Sequence, residues 1–454
     1  MVSNVAHNLS TIALLKYRHL RPVTVLAIGY ALYMVVGALV LSLPYVHEPG
    51  AVTFLDNLFV SVSAVSTTGL SPVSTSGAYT WIGEITILLL IQLGGIGYMT
   101  FGSFLYVFGN NGRLPHFRKK VSESAFALTS NERIESFLTA VVLMTILIEV
   151  IGAGLLYPMF EQAGAPNPLW NAVFHSVSAF CTAGFSLFDN SLETYVGNTG
   201  INVVIGVLSY LGAIGFIVLF DFVRWAADEA PRISFTSRVI LIATALIFII
   251  GSVMLFFGEP EVAKLPLKER VLASTFQCMT ASTTVGFNSI PIGKMSAAFA
   301  FLIVLIMIIG ASPSGTGGGI KSTTFVTTLG AIRSALHGVN EVVFWGIKVP
   351  AQRVRVAVVT VGTYAILLML GTFLVLWVSK GTIDQMLFEV ASALGTVGLS
   401  RGITQELSAL GKIVIISLMY VGRVGVLVFT FSLFGGSSIN QLVSGELREE
   451  DLAV

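Results

Sequence analysis

The sequence predicts an all-α membrane protein: eight transmembrane helices in four span/pore-loop/span repeats around one pseudo-fourfold pore, with the sixth helix interrupted. Three observations predict it. Of 454 residues, 54% are apolar and only 11% charged, and the mean hydropathy of +0.86 is far above that of a soluble domain of this size. A motif, [ST]-A-x-x-T-x-G-[LF], stands at 63–70, 178–185, 280–287 and 392–399, and a phenylalanine (Phe59, Phe174, Phe276, Phe388) lies ten residues before each motif glycine. Each copy sits between two apolar stretches of about 20 residues, enough to cross about 30 Å of hydrocarbon. Repetition at one period means one structural unit used four times.

The first unit, 1–115, opens on Lys16, Arg18 and Arg21, directly before an apolar run too long for a signal-peptide core, so the run is read as a retained span starting in the cytosol. Its spans are predicted at 22–45 and 82–108, with a shorter apolar helix at 52–65 leading into the motif. Unit two, 116–228, has spans at 135–157 and 201–225; unit three, 229–338, at 237–258 and 298–335; unit four, 339–436, at 355–379 and 412–434. Polar joints at 109–133, 226–236 and 338–354 and a tail at 437–454 complete the chain, and none is long enough for a separate soluble domain. On this topology most of the 25 Lys and Arg residues fall on the side of the N-terminus. That side is therefore cytosolic, both termini lie there, and the four motifs face outward. A net charge of +1 with no basic face argues against nucleic acid as a partner. Cys181 and Cys278 show no metal-ligand or disulfide spacing and are read as packing residues.

Non-helical backbone at membrane depth is tolerated only where it is buried in protein or lines water. Four such strands around one axis supply rings of carbonyl oxygens that replace the hydration shell of a monovalent cation. The candidate filter is Thr67, Thr68 and Gly69; Thr182, Ala183 and Gly184; Thr284, Val285 and Gly286; and Thr396, Val397 and Gly398. A bare helix C-cap also explains T-x-G, but four copies, each between two spans, weigh against it. Carbonyl rings alone do not separate potassium from sodium.

The stretch 310–324, GASPSGTGGGIKSTT, breaks the sixth span, because proline removes a donor and glycine adds backbone freedom. Its residues Gly310, Ala311, Ser312, Pro313, Ser314, Gly315, Thr316, Gly317, Gly318 and Gly319, with Lys321, form the candidate gate. The shorter counterparts, GGIG at 94–97, GAIG at 212–215 and GRVG at 422–425, are expected to keep a helix. The segment resembles a phosphate-binding loop, but Ile320 separates glycine from Lys321 and no strand precedes it, which weighs against that reading. Arg423 is the only basic residue within a span, which makes it a functional candidate: a fixed charge below the filter raises the barrier to a cation. A structural pair with Glu149 and snorkelling are the other readings.

His175, Gln277 and Glu389 share the position nine before the motif glycine, where unit one has Val60; bracing of the loops is favoured over ion contact. Asn288, just after the third glycine, is expected to brace the outer filter. His47, Glu48, Asp56, Asp189 and Glu193 lie outside, either enriching cations or as ordinary solvated loop residues.

Across residues 10–436, the four motifs, the 310–324 loop with Lys321 in register, and Arg423 resemble KtrB-like pore subunits of the Ktr/Trk/HKT potassium transporter superfamily. The chain starts at the first pore unit, which is more similar to KtrB-like than to Trk pore subunits. The resemblance implies potassium selectivity, since glycine in all four motifs goes with potassium and serine in the first with sodium. It also implies that 310–324 acts as the gate, that Asn288 and Arg423 match family positions, and that Arg423 contributes to the barrier. Beyond this chain it implies K+ at the filter carbonyls, a homodimer in the bacterial plasma membrane, and a cytosolic ring of KtrA-like RCK-type subunits that would carry any ATP or ADP. No cofactor is expected on this chain itself.

Two other function classes compete with a gated pore. An intramembrane enzyme finds no His-Glu cluster, Ser-Lys pair or acid dyad within the spans. A Na+- or H+-coupled secondary transporter differs from a gated pore only in flux coupling, and the sequence leaves it open.

Overall fold

The structure, a computed structural model, describes residues 22–97, 100, 102–104, 107, 134–228 and 233–426. The predicted N-terminal basic cluster, the joint at 109–133 and the tail at 437–454 lie outside these residues.

In chain order the helices are α1 (Pro22–Leu41), α2 (Phe54–Val65), α3 (Trp81–Ile96), α4 (Ile134–Gln162), α5 (Pro168–Phe180), α6 (Thr199–Ala213) and α7 (Phe216–Ala226). They continue as α8 (Phe235–Gly258), α9 (Leu267–Thr283), α10 (Ala297–Ile309), α11 (Ser322–Leu336), α12 (Ala351–Val378), α13 (Ile383–Gly395) and α14 (Ala409–Val424). Single turns at Thr75–Ala78 and Pro260–Ala263 and three 3-10 turns complete the helical elements among the described residues. The joint predicted at 338–354 holds a two-residue hairpin, β1 (Val343–Phe344) against β2 (Ile347–Lys348). Trp345 (φ 50) and Gly346 (φ 78) turn it, the left-handed torsions a two-residue hairpin loop needs.

Four helices, α1, α4, α8 and α12, are each long and apolar enough to cross a membrane, so the chain is a multi-pass membrane protein. Their outer faces expose Leu147, Val150, Ile249, Ile366 and Met369, which lipid solvates. The short helices α2, α5, α9 and α13 cannot cross, and each runs directly into a motif. Capping boxes at Thr53 and Thr382 and Pro168 in the first turn of α5 fix where three of them start.

The expectation that only the sixth span breaks is corrected. Helices α6 and α7 together pass for one span but meet at 97°. The hinge is Gly215 (φ 93, ψ 147). Gly97 ends α3 with φ 85, ψ 125, and Gly425 ends α14 with φ 92, ψ 130. With 16, 13 and 16 residues, α3, α10 and α14 reach only about 20–24 Å at 1.5 Å per residue, short of the bilayer core. The torsions are ones that glycine alone adopts freely, which is why the helix ends where G-x-x-G stands. The third unit obeys the same rule with a different residue: Lys321 precedes α11 at φ 83, ψ 134. GGIK at 318–321 is therefore the fourth copy of the break, with an insertion before it. The break is also shorter than the predicted 310–324, since Ser322 already starts α11.

Packing runs in a cycle. Helix α3 lies on α5, α6 on α9, α10 on α13, and α14 returns to α2. Across that last seam Lys412 Nζ meets Asp56 Oδ1 at 2.6 Å, tying the end of the cycle to its start.

Candidate functional site

The four motifs come together at the centre of this cycle. In each, the chain leaves a short helix through a threonine in the left-handed region: Thr67 (φ 53), Thr182 (φ 50), Thr284 (φ 58) and Thr396 (φ 49). Helices commonly end in this conformation, but on glycine; a β-branched residue there is an outlier costing about 1–3 kcal/mol. Strain repeated at four equivalent places marks a geometry the fold enforces. The next residue returns to negative φ, and the motif glycine is positive again at 94, 66, 86 and 97° for Gly69, Gly184, Gly286 and Gly398. Alternating handedness turns successive carbonyls toward one side of the strand instead of to both.

The first residue of the motif holds that strand. The carbonyls of Ser63, Ser178, Thr280 and Ser392 accept the N–H groups of Thr68, Ala183, Val285 and Val397 at 2.8–3.1 Å. Ser63 Oγ and Ser392 Oγ also accept from Gly69 N and Gly398 N at 3.0 Å, while Ser178 Oγ donates to Phe185 O at 2.8 Å. The four phenylalanines wedge in behind, at most 3% exposed.

The glycines close a ring. A methyl placed on Gly69 would stand 2.4 Å from Ala183 O, on Gly184 2.0 Å from Val285 O, on Gly286 2.0 Å from Val397 O, and on Gly398 2.2 Å from Thr68 O. Each contact is to the next unit, and the fourth returns to the first. All twelve candidate filter residues thus share one annulus, with the carbonyl ends of α2, α5, α9 and α13 directed at it, the helix end that favours a cation.

Above the annulus, a vestibule of about 530 Å³ is lined by the four glycines and by Ser74, Asp189, Glu193, Asn288, Ser400 and Arg401. Asn288 Nδ2 donates to Glu193 Oε1 at 2.7 Å and to Ile290 O at 3.1 Å, fastening the third strand to the loop of the second unit. Burial pushes the Glu193 carboxyl above the usual range, opposed by that Asn288 hydrogen bond. His47 and Glu48 do not line the vestibule, and Asp56 is held by Lys412. The polar residues nine before each glycine brace the strand beyond it: His175 Nε2 meets Ser186 Oγ at 2.9 Å, Gln277 Nε2 donates to Ser289 Oγ at 3.3 Å, and Glu389 Oε2 accepts from Ser400 Oγ at 2.8 Å.

Below the annulus, the broken third unit touches every threonine. Thr67 Oγ1 donates to Thr316 O at 3.2 Å, Thr182 Oγ1 and Thr316 Oγ1 lie 2.9 Å apart, and Gly318 N donates to Thr284 Oγ1 at 3.1 Å. Gly318 leaves no room at the fourth, since a methyl there would stand 2.3 Å from Thr396 Oγ1. Backbone groups freed by the bend at Gly215 hold the loop in place. Ser312 N and Thr316 N donate to Ala213 O and Gly212 O, and Phe216 N donates to Ser314 O. A buried break needs such partners, and the loop supplies them.

Two cations secure this arrangement. Lys321 Nζ donates to Gly317 O at 2.5 Å and Gly318 O at 3.4 Å. Arg423 donates to Thr316 O and Gly94 O, and to Thr67 Oγ1 at 3.0 Å, so it joins the loop, the annulus and the end of α3. Glu149 is not its partner in these contacts. That carboxylate accepts from Gln92 Nε2 at 2.9 Å and from Cys181 Sγ at 3.6 Å. Both cations line an inner cavity of about 220 Å³ together with Tyr30, Thr100 and Gly425.

Sequence reasoning missed Thr316 as the residue that meets the filter, and missed the role of Gly94, Gly212 and Gly422. Methyls on these three would stand 1.9–2.4 Å from the carbonyls of Val65, Phe180 and Leu394, the third residues of the motifs, in the last turns of the short helices. Aligning GGIG, GAIG, GGIK and GRVG would have shown the first of each as invariant within the chain.

The family model for TrkH, described as a cation transport protein, matches residues 33–434. The chain belongs to the TrkH family. Among characterised relatives, this TrkH-family chain is 33% identical to the Ktr system potassium uptake protein B of Bacillus subtilis, over 92% of its own length and 94% of that protein's. It is 32% identical to the potassium/sodium uptake protein NtpJ of Enterococcus hirae, over 92% and 93%. The crystal structure of the potassium transporter TrkH from Vibrio parahaemolyticus superposes with a TM-score of 0.69 at 19% identity, covering 90% of this chain and 83% of that one, which shows the shared fold. As a TrkH-family member the chain is a transport protein, not an enzyme.

Proposed function

We propose that this chain takes up potassium through a four-repeat pore, down the electrochemical gradient, with no covalent step. The observation that carries the reading is the closed ring of motif glycines with left-handed threonines beneath it. Eight spans in four units, 1–115, 116–228, 229–338 and 339–436, surround one axis in the bacterial cell membrane, with both termini and the 437–454 tail in the cytosol. A hydrated ion enters the vestibule, where Asp189 and Glu193 raise its local concentration. At the annulus the carbonyls of Thr68, Ala183, Val285 and Val397, with their neighbours, replace its water. The dipoles of the four short helices favour the positive charge there.

The arrangement described here is the closed one. The segment from Gly310 to Lys321 lies across the inner end of the filter, and Arg423 and Lys321 put fixed positive charge where an ion must leave. Opening requires the loop to withdraw. A cytosolic ring of KtrA-like RCK-type subunits, binding ATP or ADP, is the proposed source of that movement, acting on a homodimer of this chain; the likeness to a Ktr-system protein supports it.

Uptake of rubidium into proteoliposomes, driven by an inside-negative potential, tests the reading. Uptake is expected to follow the potential, to be displaced by external potassium, and to persist when sodium and proton gradients are collapsed. Loss of uptake on collapsing either gradient, with the potential held, contradicts it in favour of a coupled transporter.

A further inference from the structure

The four positions nine residues before the motif glycines are equivalent in the ring, yet they carry Val60, His175, Gln277 and Glu389. Only one is an acid. The Glu389 side chain is fully buried in α13, and both of its oxygens are acceptors: Oε2 from Ser400 Oγ at 2.8 Å, Oε1 from Thr404 Oγ1. Ser400 and Thr404 both line the outer vestibule, and Ser400 stands two residues beyond the filter glycine Gly398. Arg401, the residue after Ser400, is engaged elsewhere, with Asp384 Oδ2 at 2.6 Å and Met295 O at 3.1 Å. Among the described residues, no basic side chain forms an ion pair with Glu389.

When ionised, a buried carboxyl held by two hydroxyl donors and no cation has an unbalanced field, and both residues that hold it line the vestibule. We infer that Glu389 is a positioning residue for the incoming ion: its charge, acting through space past the Ser400 and Thr404 hydroxyls that hold it, makes potassium at the outer end of the filter its counter-ion. This sets the affinity of the outermost site and makes the ring electrostatically one-sided, strongest at the fourth unit. A brace alone needs no charge, because Gln277 braces Ser289 in the third unit as a neutral amide. The inference rests on the proposed potassium pathway.

The test compares rubidium uptake by proteoliposomes holding the wild-type chain, Glu389→Gln and Ser400→Ala, with external barium as a probe of negative charge at the mouth. Glu389→Gln is nearly the same size and can keep the hydrogen bonds, so its expected result is a KM about tenfold higher with the maximal rate within about twofold, and weaker barium block. Ser400→Ala breaks the brace but keeps the charge, and its KM is expected to stay within about twofold of wild type. An unchanged KM and barium block in Glu389→Gln overturns the inference. So does a fall in maximal rate alone, or an equal KM shift in Ser400→Ala, either of which makes Glu389 a structural brace. Absence of rubidium uptake by the wild-type chain instead contradicts the potassium reading itself, so the two failures are distinguishable.

Discussion

Gly286→Ala abolishes uptake, whereas Gly362→Ala leaves it intact. Both are glycine-to-alanine changes in apolar surroundings, and intrinsic helix propensity predicts little harm from either. The difference is local. A methyl on Gly286 would lie 2.0 Å from Val397 O and 2.9 Å from the Cα of Gly398, both backbone, and the residue sits at φ 86. Neither obstacle can yield without moving the fourth strand of the annulus. Gly362 has nothing within 4 Å of the added atom. Strain and displacement together cost several kcal/mol at the ring, so the rate is expected to fall by about 100-fold or more while the protein still reaches the membrane. Rubidium uptake normalised to the amount of protein in the membrane checks it. Normal uptake by Gly286→Ala would mean that the close approach between units does not exist in the transporting protein.

Arg423→Ala opens the pathway. In the arrangement proposed as closed, the guanidinium ties Thr316 O, Gly94 O and Thr67 Oγ1 together, with its planar group 5.7 Å from the Tyr30 ring. Alanine removes these charge-assisted hydrogen bonds and the fixed charge at the ion's exit at once. Each such bond is worth about 1.5–3 kcal/mol, so losing even one net interaction of that size shifts the closed-to-open balance by roughly tenfold or more. The expected result is higher rubidium uptake in proteoliposomes holding this chain alone, with selectivity over sodium retained, because the annulus is untouched. Unchanged or reduced uptake with normal protein levels would show that Arg423 does not hold the loop closed.

How much of this was legible in the sequence follows from the kind of interaction involved. The annulus was legible because its requirements are repeated: a left-handed turn, a glycine against a neighbouring backbone, and a serine or threonine to hold the strand left the same eight-residue trace four times. The apolar first spans were equally plain from length and composition. The breaks at Gly97, Gly215 and Gly425 were not, because a glycine inside an apolar run is compatible with a continuous helix, and only the torsion distinguishes the two. The break in the sixth span was predicted, but Lys321 hid its equivalence to the other three: it stands where its counterparts are glycine, and no residue-type rule places lysine at φ 83. Thr316 was named among the gate candidates, but its contacts could not be read locally. Its contacts to Thr67 and Thr182 span 249 and 134 residues of chain and exist only once the ring has closed. Arg423 was found from its cost in a membrane, but its partners are carbonyl and hydroxyl oxygens, and the acid that sequence reasoning weighed, Glu149, is satisfied by Gln92 and Cys181.

The most direct measurement is the ratio of potassium to sodium uptake by an uptake-deficient bacterium expressing the wild-type chain or Gly69→Ser. Gly69 holds φ 94 with its α-carbon facing Ala183 O, so serine perturbs the first strand of the ring with the smallest polar side chain available. The account predicts that the wild-type chain restores growth in low potassium and that Gly69→Ser admits sodium, losing the discrimination. If Gly69→Ser is made in normal amounts and keeps the wild-type ratio, the ring is not the selectivity element and the central claim fails.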